Sequence, residues 1–289
     1  MSFETPGQRM AAGSRSPQLR FGSLATTAAA GALSLTVLLP IVWIVSTALK
    51  TRAEVSQSPL SLPSTWQWGN FPEAWVVGRF GTYFLNSVLV VVPVVVAVLV
   101  ISLLAAYAFS LYTFRGKSLV FVILLAGLTI PIGVLVVPLY YQMLSLGLVN
   151  TLWALVLPEV AISLPFGVLL LRSFMLGIPR DILAAGRIDG ASDWQLLWFV
   201  VAPLTKPALL SLLIFTFMWS WNQFLLPVVL VQTESVRTLP LGLSFFQGRY
   251  SSNLPLLMAG ATISFLPIVA IYVVFQRQFI RGITAGALK

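Results

Sequence analysis

Long uncharged hydrophobic segments alternate along this chain with short charged ones. A helix needs roughly 20 consecutive apolar residues to cross the hydrocarbon layer of a membrane. Each uncharged segment is long enough to do so, which predicts membrane-spanning helices. The uncharged segments are residues 21–49, 80–114, 118–158, 207–233 and 250–276.

The third uncharged segment is about twice as long as one spanning helix requires. Its middle, residues 145–150, reads SLGLVN, and Gly147 and Asn150 are residues that favour turns. We therefore divide this segment into two helices and predict six spans in all. The predicted spans are residues 22–48, 82–110, 118–142, 151–172, 205–231 and 255–277.

The composition agrees with a membrane protein. Hydrophobic residues make up 58% of the 289 residues and charged residues 9%. The mean hydropathy is +0.95, and a chain this apolar cannot fold around one core as a water-soluble protein. The chain has no cysteine and no histidine. Disulfides, thiolate or imidazole metal ligands and histidine bases are therefore excluded, and we expect no catalysis, metal or cofactor on this chain.

The distribution of lysine and arginine predicts the orientation of the helices. With six spans both termini lie on one side, and positive residues accumulate on the cytoplasmic side. Of the 17 lysines and arginines, 12 fall on the side of the termini and 5 on the other. We therefore expect a multi-pass protein of a prokaryotic cell membrane with both termini in the cytoplasm. The dispersed positive charges suit a lipid bilayer better than a nucleic acid. The five on the outer side are Lys50, Arg52, Arg79, Arg237 and Arg249.

Residues 178–207, called the charged loop below, interrupt the apolar sequence between spans four and five. Pro179 and Asp181 suit the first turn of a helix, which we expect to end near Ile188. Gly190 then ends this helix, although spacing alone equally fits an ordinary helix-terminal glycine in any loop.

A second helix is predicted to follow within the charged loop. Ser192 and Gln195 have the spacing of a capping box, in which each side chain bonds to the other residue's backbone N–H. Apolar residues then recur at helical spacing and predict a single apolar stripe. The stripe consists of Trp194, Leu197, Trp198 and Val201.

Several stretches resemble the permease subunits of binding-protein-dependent ABC importers. GRIDGAS at residues 186–192 and LTKP at residues 204–207 are similar to that family's signature. WSWNQFLLPVVL at residues 219–230 and QRQFIRGITAGALK at residues 276–289 resemble its carbohydrate branch, the inner-membrane subunits of maltose-type importers. The resemblance covers nearly the whole chain. It implies an all-α polytopic membrane protein with the type I (MetI-like) importer fold, six transmembrane helices and cytoplasmic coupling helices.

The resemblance also implies partners. A second homologous permease would pair with this chain, a dimeric ATP-binding subunit would bind ATP and Mg²⁺ and hydrolyse the ATP, and an extracytoplasmic sugar-binding protein would deliver a sugar or related polyol. The charged loop would couple this chain to the ATPase. The implied coupling residues are Asp181, Ala184, Ala185, Gly186, Arg187, Asp189, Gly190 and Ala191.

One position of the charged loop departs from the family's pattern. The signature usually has a glutamate two residues before Gly186, where this chain has Ala184. An ion pair made by that glutamate is therefore in doubt. Asp181 and Asp189 are the candidates that could supply the negative charge instead.

With this resemblance, the chain divides into five parts. We predict a disordered cytoplasmic tail, an uncleaved first helix, an outer loop, a five-helix permease core with the coupling loop at residues 173–204, and a second cytoplasmic tail. The first helix is too long for a signal-peptide core. In this order, the five parts are residues 1–21, 22–48, 49–81, 82–277 and 278–289.

Gly116, Lys117 and Ser118 end like a phosphate-binding P-loop. That motif needs a glycine five residues before Gly116, and Leu111 stands there. The sequence therefore predicts that ATP binds to separate chains.

Polar residues within the spans are candidates for a substrate path. Glu159 is the one ionisable residue well inside a predicted span, where charge is costly. It is either a carboxyl packed against another helix or a group that faces the path and bonds to sugar hydroxyls. Trp219, Trp221, Asn222 and Gln223 suit a sugar by type, but helix-to-helix hydrogen bonds would use the same groups.

Two outer loops are candidates for contacts outside the membrane. Residues 50–79 contain three tryptophans and are expected to lie along the outer headgroups, with a partner-docking surface as the alternative. In residues 232–254 the resemblance implies contacts between the binding protein and Gln247, Arg249 and Tyr250. A solvated turn fits that polar loop equally well.

Two other classes of membrane protein are alternatives. An ion-coupled secondary transporter usually has two internal repeats and several charges within the membrane. This chain has six predicted spans, no visible repeat and one ionisable residue well inside a span, Glu159, which argues against that class. A membrane scaffold without transport activity would not need the charged loop at the position where the importer family has it.

Overall fold

The structure is a computed structural model that describes residues 18–246 and 253–287, with side chains for residues 26–244, 246 and 253–276. All regular structure in these ranges is helical, as the apolar pattern predicts. Most of the predicted tail 1–21 lies outside this part of the chain, and so do the predicted contact residues Gln247, Arg249 and Tyr250.

Fourteen helices are labelled here in chain order over the described residues. Short 3₁₀ turns and one π-helical segment, Leu196–Val201, connect some of them. The helices are α1 (Gln18–Ala48), α2 (Arg52–Gln57), α3 (Asn70–Val77), α4 (Phe80–Leu111), α5 (Lys117–Ala126), α6 (Ile132–Ser145), α7 (Trp153–Met175), α8 (Arg180–Ile188), α9 (Asp193–Gln195), α10 (Ala202–Leu204), α11 (Lys206–Trp221), α12 (Leu225–Leu230), α13 (Leu239–Gly242) and α14 (Leu254–Ala287).

Six of these units have the length and hydropathy of membrane spans. The helices α1, α4, α7 and α14 satisfy this criterion singly. Two bent pairs satisfy it together: α5 with α6, at an angle of 104°, and the stretch from α9 to α10 with α11, at 76°. If each bent pair is one span, the structure has six spans, which is the number that the sequence predicts, although the second pair starts at Asp193 within the charged loop and ends at Trp221 before α12.

The third span is not the continuous helix expected over residues 118–142. Helix α5 ends at Ala126, a 3₁₀ turn covers Gly127–Thr129, and Pro131 precedes α6. Proline lacks a backbone N–H and disfavours helical backbone in the residue before it. Ile130 is accordingly extended, with φ −87° and ψ 115°, and the helix axis turns sharply.

The fifth span is likewise interrupted within the predicted range 205–231. Helix α11 ends at Trp221, and α12 begins at Leu225. The Asn222 Nδ2 donates to the Met218 carbonyl at 2.8 Å, and the Gln223 Oε1 accepts from the Leu225 N–H at 3.1 Å. Side-chain amides therefore bond to backbone groups on both sides of the break, and the Gln223 amide satisfies the Leu225 N–H, a donor that lipid would leave unpaired.

The largest core forms where α4 crosses α7. Val94, Leu155 and Leu171 are buried in it together with Leu212 of α11. Close contact depends on Gly167, because a Cβ there would lie 2.2 Å from the Ser102 Oγ and 3.0 Å from the Ser102 Cβ. This crossing holds the middle of the bundle together by close van der Waals packing, which is the main source of helix association in lipid.

A second buried cluster joins α14 to α11 and to the start of α4. Phe80 stacks on Phe246 with ring centroids 6.0 Å apart. The Trp221 indole N–H donates to the Ser264 carbonyl at 3.0 Å, and Phe84 packs edge-on against Trp221 at 5.5 Å. Trp221 is thus a packing residue between helices.

The turn predicted at residues 145–150 is confirmed. Gly147 and Asn150 both have left-handed backbone, with φ of 67° and 64°. The Asn150 Oδ1 accepts from the backbone N–H groups of Gln232 and Thr233 at 2.6 and 3.1 Å. Asn150 therefore also ties this turn to the end of the fifth span.

The loop between α1 and α4 is held by two polar side chains. Lys50 is fully buried, and its Nζ donates to the carbonyls of Ser58 and Pro59 at 3.0 and 3.1 Å. Glu54 accepts from the Ser64 hydroxyl, from the Ser64 N–H at 2.8 Å and from the Thr51 N–H at 2.9 Å. The side-chain bond from Ser64, followed by the bond from the Thr51 N–H, lowers the pKa of Glu54 from 4.5 to about 2.

We expect the Glu54 contacts to be lost in acid. A lowered pKa means that the ionised carboxylate stabilises the folded loop above about pH 4.5, and that this stabilisation falls away towards pH 2. Glu54→Gln should remove it at neutral pH, so the Ser64 and Thr51 amides should exchange hydrogen several-fold faster at pH 7. Glu73→Gln, an exposed carboxyl in the same loop, is the control. Unchanged exchange in Glu54→Gln would show that the carboxylate does not hold the loop.

Candidate functional site

The charged loop folds into two short helices as predicted. Helix α8 begins after Pro179 and ends at Ile188, with Asp181 in its first turn. Gly190 has φ 80°, and the backbone N–H of Ala191 donates to the Gly186 carbonyl at 3.0 Å. A left-handed glycine followed by such a bond is a common helix C-terminus.

The predicted capping box is also confirmed. The Ser192 N–H donates to the Gln195 Oε1 at 2.8 Å, and the Gln195 N–H donates to the Ser192 Oγ at 3.3 Å. These bonds start α9 directly after the turn at Gly190. The turn between the two helices is therefore fixed from both sides.

The two helices of the charged loop pack through Gly186. A Cβ at this position would lie 2.6 Å from the Leu196 Cδ2. Leu183 is the one buried residue of α8, and it belongs to the same cluster as Leu197 and Val201. Apolar contact, with a glycine at the point of closest approach, therefore holds α8 against the following helix.

The predicted single apolar stripe is wrong. Leu197 and Val201 are buried, whereas Trp194 and Trp198 are exposed and pack edge-on against each other at 5.8 Å. Residues 196–201 form a π-helix, which has more residues per turn than an α-helix. The α-helical period therefore did not predict which side chains share a face.

Most of the implied coupling residues lie on the surface of the charged loop. Ala184, Ala185, Arg187, Asp189 and Gly190 are exposed, as is Asp181. Ile188 is also exposed, at 86%. A protein in contact with this surface would meet small residues and the exposed isoleucines Ile182 and Ile188 beside charges of both signs.

Within the charged loop, Arg187 forms an ion pair with Asp193, a residue that the sequence analysis did not identify. Arg187 Nη2 lies 3.7 Å from Asp193 Oδ1, and both side chains are more than half exposed. Among the described residues Asp181 and Asp189 form no salt bridge. An exposed ion pair of this kind contributes little to stability, so the packing at Gly186 is the stronger constraint.

Tyr107 connects the charged loop to α4, and sequence analysis did not identify it. Its hydroxyl donates to the Asp193 carbonyl at 3.1 Å. Its ring is mostly buried and packs edge-on against Tyr112 at 5.7 Å. A tyrosine near the end of an apolar span carries no signal that would have distinguished it from other interfacial tyrosines.

A separate cavity of about 630 Å³ lies between the third, fourth and fifth spans. Its polar lining includes Glu159 and Ser163 from α7, and Ser220, Asn222 and Gln223 from the end of α11. The Ser220 hydroxyl donates to the Glu159 carboxylate. The structure thus brings four of the five tentative substrate-path residues, Glu159, Trp219, Asn222 and Gln223, into one cavity; Trp221 packs elsewhere.

Aromatic rings form another part of the cavity wall. Phe166 packs edge-on against Trp219 at 5.1 Å and against Phe215 at 5.6 Å. Trp219 is half exposed. Amide groups beside aromatic faces are suited to a ligand that carries both hydroxyls and C–H surfaces.

The breaks in the third and fifth spans both open onto this cavity. Gly127, Leu128 and Ile130 line it from the bend between α5 and α6, and Asn222 and Gln223 line it from the break before α12. Within a bilayer, non-helical backbone is tolerated where it is buried in protein or lines a water-filled cavity. The sequence pattern did not show this convergence, because the two breaks are far apart in the chain.

The electrostatics of the cavity are simple. Among the described residues that line it, Glu159 is the only ionisable one, and none is a lysine or arginine. The Glu159 side chain is only 6% exposed. No group of three or more potential metal ligands of the His, Cys, Asp or Glu types occurs among the described residues.

The packing at Gly186 makes a testable prediction. Gly186→Ala should force α8 away from Leu196, so trypsin should cleave after Arg180 and Arg187 several-fold faster. Adding Leu196→Val removes the Cδ2 that the new methyl group would meet and should restore resistance. Gly133→Ala is the matched control, since nothing lies within 4 Å of a Cβ there. Equal protease resistance of Gly186→Ala and wild type would contradict the close packing.

Comparison with known proteins gives consistent matches over most of the chain. A model of the family described as "binding-protein-dependent transport system inner membrane component" matches residues 97–285. The diacetylchitobiose uptake system permease protein NgcG of Streptomyces coelicolor is 35% identical, covering 89% of this chain and 85% of that protein. The arabinooligosaccharides transport system permease protein AraQ of Bacillus subtilis is 31% identical, covering 95% and 98%.

A solved structure has the same fold. It is the crystal structure of a bacterial ABC transporter involved in the import of the acidic polysaccharide alginate, with a TM-score of 0.78. The match covers 92% of this chain and 99% of that chain at 24% sequence identity. The helical arrangement is therefore that of an ABC importer permease, as the resemblance implied.

Proposed function

This chain belongs to the family of inner membrane components of binding-protein-dependent transport systems. We propose that it is a permease subunit of an ATP-driven importer and that it forms part of the path of a sugar through the membrane. The cavity between the third, fourth and fifth spans carries this proposal, because it joins polar side chains, aromatic rings and two helix breaks. The curated relatives named for diacetylchitobiose and arabinooligosaccharides support a carbohydrate substrate.

A neutral sugar or polyol suits the cavity better than an acidic one. Glu159 is its only ionisable residue among the described lining, so an anionic sugar would meet a carboxyl group and no cation. A neutral sugar can donate hydroxyl hydrogen bonds to Glu159 and to the amide oxygens of Asn222 and Gln223. Trp219 and Phe166 offer aromatic faces for the C–H surface of a sugar ring.

The partners follow from what this chain supplies and what it lacks. Its Gly116-Lys117-Ser118 sequence is not a P-loop, so ATP and Mg²⁺ belong on a separate dimeric ATP-binding subunit. A second permease would complete the path, and an extracytoplasmic binding protein would deliver the sugar through a contact that includes Gln247, Arg249 and Tyr250. We propose that both termini and the charged loop lie in the cytoplasm, which the excess of positive residues on that side supports.

The charged loop would act as the coupling element. Its exposed face holds Ala184, Ala185, Arg187, Asp189 and Gly190. The second helical part of the loop runs from α9 to α10, and Thr205 connects α10 to α11. At its far end, α11 carries Trp219 and Ser220 of the cavity wall. Movement of the loop on closure of the ATPase would therefore shift a helix that lines the path, which is an example of rigid-body transmission.

Gly190 provides a test of ATPase coupling. Gly190→Asp adds a bulky charged side chain to the exposed turn, where nothing lies within 4 Å of a Cβ, so membrane insertion should remain normal. Co-purification of the ATP-binding subunit should fall severalfold. Gly147→Asp is the matched control, because Gly147 has similar backbone, with φ 67°, and the same free space. Equal recovery of the ATPase with both variants would argue against a coupling role for the loop.

Glu159 provides a test of the sugar path. Glu159→Gln removes one strong hydrogen-bond acceptor, so uptake of a neutral sugar at subsaturating concentration should fall about two- to tenfold. The amount of assembled importer should not change. Ser220→Ala is a comparison variant in the same cavity: it removes the described partner of Glu159 and keeps the carboxyl group. If both variants lose assembly and neither changes uptake per assembled complex, Glu159 serves packing alone.

A further inference from the structure

A second cavity lies at the end of the bundle that carries the charged loop. It encloses about 580 Å³ where α4 ends, α5 begins and α7 ends. Lys117 and Arg172 line it together with Ser118 and the rings of Phe109, Phe114 and Phe121. It is separate from the sugar cavity, with which it shares no lining residue.

Two cations face this cavity without a carboxylate partner. The Arg172 Nε donates to the Phe109 carbonyl at 3.2 Å, and its guanidinium carbon lies 4.3 Å from the centre of the Phe121 ring. The Lys117 Nζ donates to the Tyr112 carbonyl at 2.7 Å. Among the described residues neither cation forms a salt bridge, and the remaining N–H groups of both have no described acceptor. Arg172 is thus positioned by its Nε and by Phe121, with its two Nη groups left over.

We propose that this cavity binds the phosphate group of an anionic phospholipid of the cytoplasmic leaflet. A guanidinium and an ammonium group that line one pocket, together with Ser118, have the chemistry that recognises a phosphate. Basic pockets between membrane helices on the cytoplasmic side are suited to anionic lipid headgroups.

The surface next to the cavity favours a lipid over a soluble phosphate compound. On α5, Leu119, Val122 and Ile123 are between 59% and 64% exposed. Their spacing places them on one face of the helix, and α5 is part of the third membrane span. Phe114 is also exposed at the rim. A lipid whose phosphate lies between Lys117 and Arg172 could therefore lay an acyl chain along this apolar face.

This site gives a role to a sequence feature that the transport function leaves unused. Gly116-Lys117-Ser118 is not part of a nucleotide-binding P-loop. In the structure the same lysine and serine lie beside an arginine that follows them by more than fifty positions in the chain, at the end of another span. The cations converge only after the fold has formed, so the pocket could not be predicted from the local sequence.

Native mass spectrometry of the complete importer complex tests the proposal directly. The purified complex is titrated with phosphatidylglycerol and, separately, with phosphatidylcholine. The wild-type complex should retain more phosphatidylglycerol than phosphatidylcholine. Lys117→Gln and Arg172→Gln should each lower retained phosphatidylglycerol by about fivefold, the effect of one cation near a lipid headgroup. Lys206→Gln, which removes an exposed cation at the same end of the bundle, should leave it unchanged.

The same experiment can overturn the proposal in several ways. Wild-type retention in Lys117→Gln would rule out the pocket, and an equal loss in Lys206→Gln would reduce the effect to general charge. Displacement of phosphatidylglycerol by millimolar inorganic phosphate would assign the pocket to soluble phosphate compounds instead of lipid. If Arg172→Gln does not fold, as measured by thermal unfolding, Lys117→Gln decides the outcome, since its one described bond is to the Tyr112 carbonyl. None of these results depends on which sugar is transported.

Discussion

The fold depends on the requirement that every backbone N–H and C=O group within a bilayer must find a hydrogen-bond partner. The long helices α4 and α7 satisfy most of it internally, although Pro93, Pro158 and Pro165 each remove one backbone donor, and the two helices cross at Gly167 to form the main core. The chain departs from helix at residues 127–131 of the third span and at residues 222–224 of the predicted fifth span, and both departures open onto the cavity that holds Glu159. Backbone that cannot face lipid therefore surrounds the space available to a polar substrate.

Helix α11 lines this cavity at its C-terminal end and meets the charged loop at its N-terminal end. Helix α11 reaches from Ser220 in the cavity wall back to the bend at Thr205, beyond which lie α10 and the second helix of the charged loop. The loop owes its shape to capping at Ser192, to packing at Gly186 and to the bond from Tyr107. Buried apolar contacts resist deformation better than the exposed Arg187–Asp193 pair does. The proposed coupling would therefore act through a well-packed loop attached to a bent helix pair.

The sequence predicts the parts of this structure that depend on local chemistry. Hydropathy predicts the number of spans, and Gly147, Asn150, Gly190 and Ser192 predict turns and caps that the structure confirms. Features that depend on how distant segments meet were not predictable. The π-helix at residues 196–201 changed the buried face of the charged loop, and Trp221 packs between helices although its residue type suits a sugar. Glu159 was identified by its charge alone, whereas its neighbours Ser163 and Phe166 become significant only once the cavity is seen.

The most direct test of the central claim is the water accessibility of the cavity. Because the chain has no cysteine, a single introduced cysteine is its one labelling site, and separating the chains after the reaction distinguishes its label from any on the partner chains. Ser163→Cys, in the cavity wall, should react with a hydrophilic thiol reagent in the assembled importer, and a transported sugar should protect it. Leu169→Cys, on the exposed surface of the same helix, should stay unreactive in lipid. If Ser163→Cys is as unreactive as Leu169→Cys with and without ATP and binding protein, the cavity is not the substrate path.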